Sequence, residues 1–299
     1  MNRDSLVDIR PDVRAALSAG RPVVALESAL ITHGLPWPVN FETAQQAEQA
    51  IRDEGVTPAT IAVLAGRPTI GLSESEVRSL AHDSASLKAS RRDLAFAIAC
   101  KQTAGTTVAA TIFLAAPWTR MLATGGIGGV HRGENAGWDI SADLTELART
   151  QIGVVCSGAK SILDLPRTLE LLETLSIPVI GYGCDTLPAF YVRSSELPLS
   201  ARVDTPGEAA EVLQSHLAWQ GDGLLFVQPV PEDVALSAVE MQEALEEAER
   251  RAKSANIRGN ALTPFLLSAL AEITHGRTLQ SNQALVVANA RLAAKIAKA

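Results

Sequence analysis

Glu27 closes the apolar run Val23-Val24-Ala25-Leu26 and is followed by Ser28-Ala29-Leu30-Ile31. An unpaired carboxylate is costly to bury. A carboxyl here is therefore either paired with an arginine or a backbone N–H, or desolvated, with its pKa raised toward the range of a general acid. Lys160 ends a second apolar run, Val154-Val155-Cys156-Ser157-Gly158-Ala159. It is either a surface lysine at a helix start or a desolvated, nucleophilic amine able to form an imine with a sugar aldehyde.

Oxygen ligands and small-residue loops lie between these two positions. Asp139-Ile140-Ser141-Ala142-Asp143 holds two carboxylates and a hydroxyl. Such hard ligands suit Mg2+ or Mn2+, which keep several waters and need few protein carboxylates. The same segment reads as a helix start, with Ser141 as N-cap and Asp143 in the first turn. The two roles are compatible. Lys88 and Ser90 can hold a phosphate near a helix start, or serve only as a charged cap.

Gly105-Thr106-Thr107-Val108 reads as a loop offering hydroxyls and backbone donors. The stretch from Thr124 to Gly133 has four glycines by Gly129 and a basic pair, His131-Arg132, near its end. It reads as a loop whose backbone can approach an oxyanion closely, or as a tight turn with no ligand. In G-x-G-x-x-G register from Gly126 the last position is His131, and no helix clearly follows, which argues against a dinucleotide site. Thr32-His33-Gly34-Leu35-Pro36-Trp37-Pro38 is a rigid stretch of the kind that lines pockets.

These residues must be positioned by strands and helices. Short apolar runs predict strands at 22–26, 60–65, 120–124, 153–156, 177–181 and 224–227. Amphipathic stretches predict helices at 41–55, 165–175, 206–219, 238–254, 263–274 and 279–298, with a further one opened by the capping-box pattern Ser90-Arg-Arg-Asp93. The alternation gives an α/β fold, a three-layer α/β/α sandwich around a mixed sheet, as one domain over residues 1–299.

Composition narrows the function. Hydrophobic residues make up 47%, charged residues 20% and aromatics only 4%, which indicates a folded core of aliphatic strands and Ala-rich helices. The net charge of −7 argues against binding a nucleic acid polymer but leaves a small anionic substrate open. Cys100, Cys156 and Cys184 form no CxxC pair, so neither a disulfide framework nor a structural zinc site is expected. The start Met1-Asn2-Arg3-Asp4 lacks signal-peptide order. The apolar stretch from Val108 to Trp118 is too short to cross about 30 Å of hydrocarbon. No membrane partner and a cytoplasmic location are the expectation.

Taken in order, several segments resemble the pseudouridine-5′-phosphate glycosidase family, also called the indigoidine synthase A-like family. They are Ala25-Leu-Glu-Ser28 with Ile31-Thr-His-Gly34, Thr57-Pro-Ala-Thr-Ile-Ala-Val63, Ser90-Arg-Arg-Asp-Leu94 and Gly105-Thr-Thr-Val-Ala-Ala-Thr111. The series continues through Ala123–Gly133, Asp139-Ile-Ser-Ala-Asp-Leu144, Lys160-Ser-Ile-Leu-Asp164 and Thr263-Pro-Phe-Leu-Leu267. The resemblance implies reversible cleavage of pseudouridine 5′-phosphate to uracil and ribose 5-phosphate, with Mn2+ or another divalent cation. It implies Glu27 as general acid, Lys160 as the nucleophile forming a covalent sugar adduct, and Asp139 as metal ligand. Lys88, Val108, Ser141, Ala142, Asp143, His131 and Asn289 are the implied substrate-binding positions, and a homotrimer is the implied assembly. Ala29, Trp37, Ala104, Gln228 and Ala288 depart from the family pattern, which bears on base specificity rather than on the reaction class. A class I aldolase-like lyase acting on another sugar phosphate, and a nucleotide-binding protein with a dead site, are the rival readings.

Overall fold

The computed structural model describes residues 6–132, 139–257 and 262–299. Gly133, at the end of the glycine-rich stretch, and Met1–Asp4 lie outside them.

The described strands are β1 (Asp8–Ile9), β2 (Val23–Leu26), β3 (Thr57–Leu64), β4 (Arg67–Ile70), β5 (Leu87–Ala89), β6 (Ala104–Thr106), β7 (Met121–Ala123), β8 (Ile152–Cys156), β9 (Val179–Tyr182), β10 (Ala201–Val203) and β11 (Gly223–Val227). The helices are α1 (Pro11–Ser18), α2 (Val39–Asp53), α3 (Glu74–His82), α4 (Leu94–Ala99), α5 (Val108–Ala115), α6 (Ala142–Leu147), α7 (Leu165–Thr174), α8 (Pro206–Ala218), α9 (Ala238–Ser254), α10 (Leu262–Ile273) and α11 (Arg277–Lys298). A π-helical turn, Leu30–Gly34, follows β2.

The strands form one mixed sheet in the order β1-β4-β3-β2-β7-β8-β11-β9-β10, with β6 joined to β3 and β5 to β6. From β3 to β10 neighbouring strands run parallel. β3 belongs to both halves: Thr57–Thr60 pair with β2, and Ile61–Leu64 pair antiparallel with β4. The central strands β2, β8 and β11 are buried at every residue, as expected for parallel strands covered on both faces. α11 packs on β2, β7 and β8 beside α2 and α8, and α5 and α6 pack together over other parts of the sheet. One hydrophobic cluster runs from Val13 to Ile296. Among the described residues, no helix is long and apolar enough to cross a membrane.

The strand–helix alternation read from the sequence is the observed architecture. The sequence reading names no strand at β1, β4, β5 or β10 and no helix at α1 or α3, and one segment that it does name differs. Gly105-Thr106-Thr107-Val108, expected as a loop, is the end of β6, then the N-cap Thr107, then the start of α5. Three residues are too few to show a period, and pairing with β3 and β5 decides their conformation.

Candidate active site

Chain order reverses between β2 and β7: β3 lies on one side of this pair and β8 on the other. Ligands of open α/β sheets bind outside the carboxyl ends of the strands at such a switch point. Glu27 leaves β2 there, and Thr124 leaves β7. A cavity of about 520 Å³ opens above them, lined by Glu27, Lys88, Val108, Asp139, Asp143 and Lys160 among others.

Glu27 accepts a hydrogen bond from the Thr124 hydroxyl at 2.9 Å. Burial pushes its carboxyl above the ordinary glutamate range; the Lys160 charge and the Thr124 hydroxyl oppose the shift, and the Asp143 charge adds to it. Of the two readings open from the sequence, paired or desolvated, desolvation is the larger influence on this carboxyl. Its hydrogen-bond partner is a threonine, not the arginine or backbone N–H of the structural alternative.

Lys160 is held by a stitch between two loops. Its backbone N–H donates to the Ile127 carbonyl at 3.1 Å, and the Ile127 N–H donates to the Gly158 carbonyl at 3.1 Å. Gly158 has φ +82°, and a Cβ there would stand 2.1 Å from the Pro188 carbonyl oxygen, so only glycine allows the turn that delivers the lysine. The Lys160 side chain is half-buried and lines the cavity. Lys88, on β5, lines the same cavity. Its amine is pushed down by burial and then by the Lys160 charge, while Glu27 and Asp143 pull it back up.

Ser141, Ala142 and Asp143 line the cavity and also start α6. Ser141 Oγ accepts from the Asp143 N–H at 3.2 Å, the N-cap role read in the sequence. Asp143, only 5% exposed, accepts from the Gly128 N–H at 2.8 Å and from the Ala109 N–H at 2.9 Å. It ties the glycine-rich loop to the start of α5. A Cβ on Gly128 would stand 2.2 Å from Ser141 Oγ, so the loop needs glycine to come this close. In the first turn of α5 the Ala110 N–H goes to Thr107 Oγ1 and the Thr111 N–H to the Thr107 carbonyl. Among the described residues the Val108 N–H has no partner, which leaves it to a ligand anion.

His131 and Asp139 stand on the wall where the glycine-rich loop returns, the His131 N–H donating to the Asp139 carbonyl at 3.1 Å. The Asp139 side chain is exposed, and among the described residues nothing bonds its carboxylate. Among the described residues, no group of three His, Cys, Asp or Glu side chains could enclose a metal. One free carboxylate on a wet wall fits a hard divalent cation that keeps most of its water shell.

Asn289 stands elsewhere. It is fully buried behind the cavity on α11, not on its wall. Its amide donates to the carbonyls of Thr124 at 2.9 Å and Gly125 at 3.3 Å, and its Oδ1 accepts from Gln228 at 2.8 Å. The asparagine on the wall is Asn282, two turns earlier on the same helix and 4% exposed, whose Oδ1 has no partner among the described residues. Sequence reasoning gave Asn282 and Thr124 no role. The available signal for Asn282 was an amide on the core-facing stripe of α11.

A family model described as indigoidine synthase A like protein matches residues 12–299. Over 295 residues the chain is 51% identical to a pseudouridine-5′-phosphate glycosidase of Mesorhizobium japonicum, covering 98% of this chain and 97% of that one. A protein of the same name from Caldanaerobacter subterraneus is 48% identical over 300 residues, covering 99% and 97%. Among solved structures, an indigoidine synthase A-like protein from Thermotoga maritima superposes with a TM-score of 0.89 at 34% identity, covering 98% of this chain and 96% of that one. A prealnumycin C-glycosynthase in complex with ribulose 5-phosphate gives a TM-score of 0.89 at 38% identity, with 99% and 97% covered.

Proposed function

The chain belongs to the indigoidine synthase A-like family, and on that premise we propose that it cleaves pseudouridine 5′-phosphate to uracil and ribose 5-phosphate through an imine on Lys160. The observation that carries this reading is one cavity lined by a buried carboxyl and by two lysines whose charges act on it. Relatives that cover nearly the whole chain and bear the name of this activity support it.

The bond to be broken joins two carbons, so no leaving-group lone pair can accept the proton that an ordinary glycosidase donates. The lysine supplies another route. Its uncharged amine bonds to C1 of the ribose, the bond from C1 to the ring oxygen breaks, and that oxygen takes the Glu27 proton. The Glu27 carboxylate then takes the surplus proton from nitrogen, whose lone pair forms the C=N bond as the uracil carbon departs with the former C–C pair and takes up that proton. Water hydrolyses the imine, releasing ribose 5-phosphate and returning a proton to Glu27. Lys88 and the Val108 N–H would hold the phosphate. The Asp139 carboxylate would hold Mn2+ or a similar cation with its waters. When bound, such a cation orients or polarises the uracil as charge develops.

We further propose that the protein acts in the cytoplasm as a homotrimer, which sedimentation would test. The activity is tested by incubating the protein with pseudouridine 5′-phosphate and Mn2+. Release of uracil and ribose 5-phosphate, lost on chelation and regained with Mn2+, is expected. No uracil release across the pH range would overturn the proposal and favour an aldolase-like lyase.

A further inference from the structure

Phe190 has φ +65°, in the left-handed region that a bulky side chain enters only under constraint. Its turn is fixed from two sides. The Ala189 N–H donates to the Val192 carbonyl at 3.0 Å, and the Phe190 N–H donates to the Ser157 carbonyl at 3.1 Å. Ser157 opens the loop that delivers Lys160, directly after β8. A backbone in a sparsely populated conformation persists only where its surroundings hold it, and such residues cluster at ligand sites.

The constraint fixes an aromatic ring on the cavity wall. Phe190 is 2% exposed and lines the cavity with Glu27, Lys160 and Asn282. Among the described lining residues it is the only phenylalanine, tyrosine or tryptophan. The ring lies on the glycine-rich loop: a Cβ on Gly126 would stand 2.6 Å from Phe190 Cδ2 and 3.0 Å from the Gly158 carbonyl oxygen. Glycine at 126 therefore lets the ring lie against the turn that precedes Lys160. Tyr191 meets the Phe190 ring edge-on, with centroids 4.6 Å apart, and its phenol is hydrogen-bonded to the Asn282 side chain. Contacts thus run from the ring to the Lys160 loop in one direction and to Asn282 in the other.

We propose that Phe190 binds the base of the substrate, its ring stacking on the face of the pyrimidine while Lys160 acts on the sugar. This rests on the cleavage reading above and adds the residue that holds the leaving base. Ribose phosphate offers hydroxyls and charge, which suit the lysines and the Val108 N–H. The base offers two flat π faces, which an aromatic ring recognises whatever groups stand on the edge. It hangs from C1, the carbon that the Lys160 amine must reach, so it lies beside the loop to which Phe190 is bonded. The edge falls to Asn282, whose Oδ1 has no partner among the described residues and is free to accept from a ring N–H.

Uracil, which needs no imine to bind, is the probe. With the phenylalanines labelled, uracil bound to the unsubstituted protein should show Overhauser contacts between its H6 and one phenylalanine ring. In Phe190→Leu and Phe190→Met, apolar but without a π face, uracil affinity should fall about 10-fold or more, the scale of one base–aromatic stack. KM for pseudouridine 5′-phosphate should rise with it. Borohydride should trap ribose 5-phosphate on Lys160 in both variants as in the unsubstituted protein. Uracil that does not bind, that binds without the Overhauser contact, or that the variants hold within a few-fold overturns the proposal. So does a parallel loss of trapping, which would make Phe190 a support of the Lys160 loop. If the unsubstituted protein neither traps ribose 5-phosphate nor releases uracil, the cleavage reading falls, and this proposal with it.

Discussion

The Thr124 hydroxyl donates to Glu27 across the gap between β7 and β2, 2.9 Å from hydroxyl oxygen to carboxylate. This bond joins the two strands at which the sheet reverses its winding order, and it reaches the side chain assigned as acid. A hydrogen bond to the charged form lowers a carboxyl pKa. In Thr124→Val the Glu27 carboxyl should therefore rise further and hold its proton to higher pH. The alkaline limb of the rate profile, where the acid is lost, should move upward. The maximal rate should fall about 5- to 10-fold, the equivalent of one hydrogen bond of roughly 1 kcal/mol. An unmoved limb would separate Thr124 from the acid.

Asp143→Asn should move the same limb the other way. The Asp143 charge adds to the upward shift of Glu27, so removing it lets the carboxyl lose its proton at lower pH. An amide also accepts through one oxygen only, so either the Gly128 or the Ala109 N–H loses its partner. That should cost about 1–3 kcal/mol of stability. Paired rate profiles and melting curves check both effects.

Glu27 should also be a stability liability above its unfolded pKa. Its native carboxyl lies above the unfolded value of about 4.3. Below that pH both states hold the proton. As pH rises toward the native pKa, the unfolded chain has lost a proton that the native state keeps, so stability falls. Glu27→Gln, which does not ionise, should melt increasingly above the unsubstituted protein as pH rises past this value. A shrinking gap would mean that the native carboxyl is held below its ordinary range.

Asn282 and Asn289 should separate function from scaffold. Asn289 holds the carbonyls of Thr124 and Gly125 from behind, so Asn289→Ala should lower the melting temperature, with a loss of about 1–3 kcal/mol for the orphaned groups. Asn282 lines the cavity, and its side chain also hydrogen-bonds the buried Tyr191 phenol. Asn282→Ala should lose about 10-fold or more in kcat/KM, as befits a lost contact to substrate, beyond the stability cost of the orphaned phenol. The reverse pattern would exchange the two roles.

Much of this was legible in the sequence because charges inside apolar runs are costly. Glu27 and Lys160 stood out for that reason, and both line the cavity. β8 and β11 showed as short apolar runs. What stayed hidden is set by contacts between distant segments. β6 owes its strand conformation to β3 and β5. Which asparagine of α11 reaches the cavity depends on the rotation of that helix over β2, β7 and β8. Asp143 reads in sequence as a hard-oxygen ligand or a first-turn helix residue, whereas its oxygens reach two backbone N–H groups donated from segments far away in the chain.

The central claim is covalent chemistry at one amine that shares its cavity with a buried carboxyl. Borohydride reduction in the presence of ribose 5-phosphate, read by intact mass and peptide mapping, tests it most directly. One reduced sugar phosphate on Lys160, absent in Lys160→Ala, is the expected result. An adduct on Lys88 or any other lysine, or no adduct at all, would contradict the account.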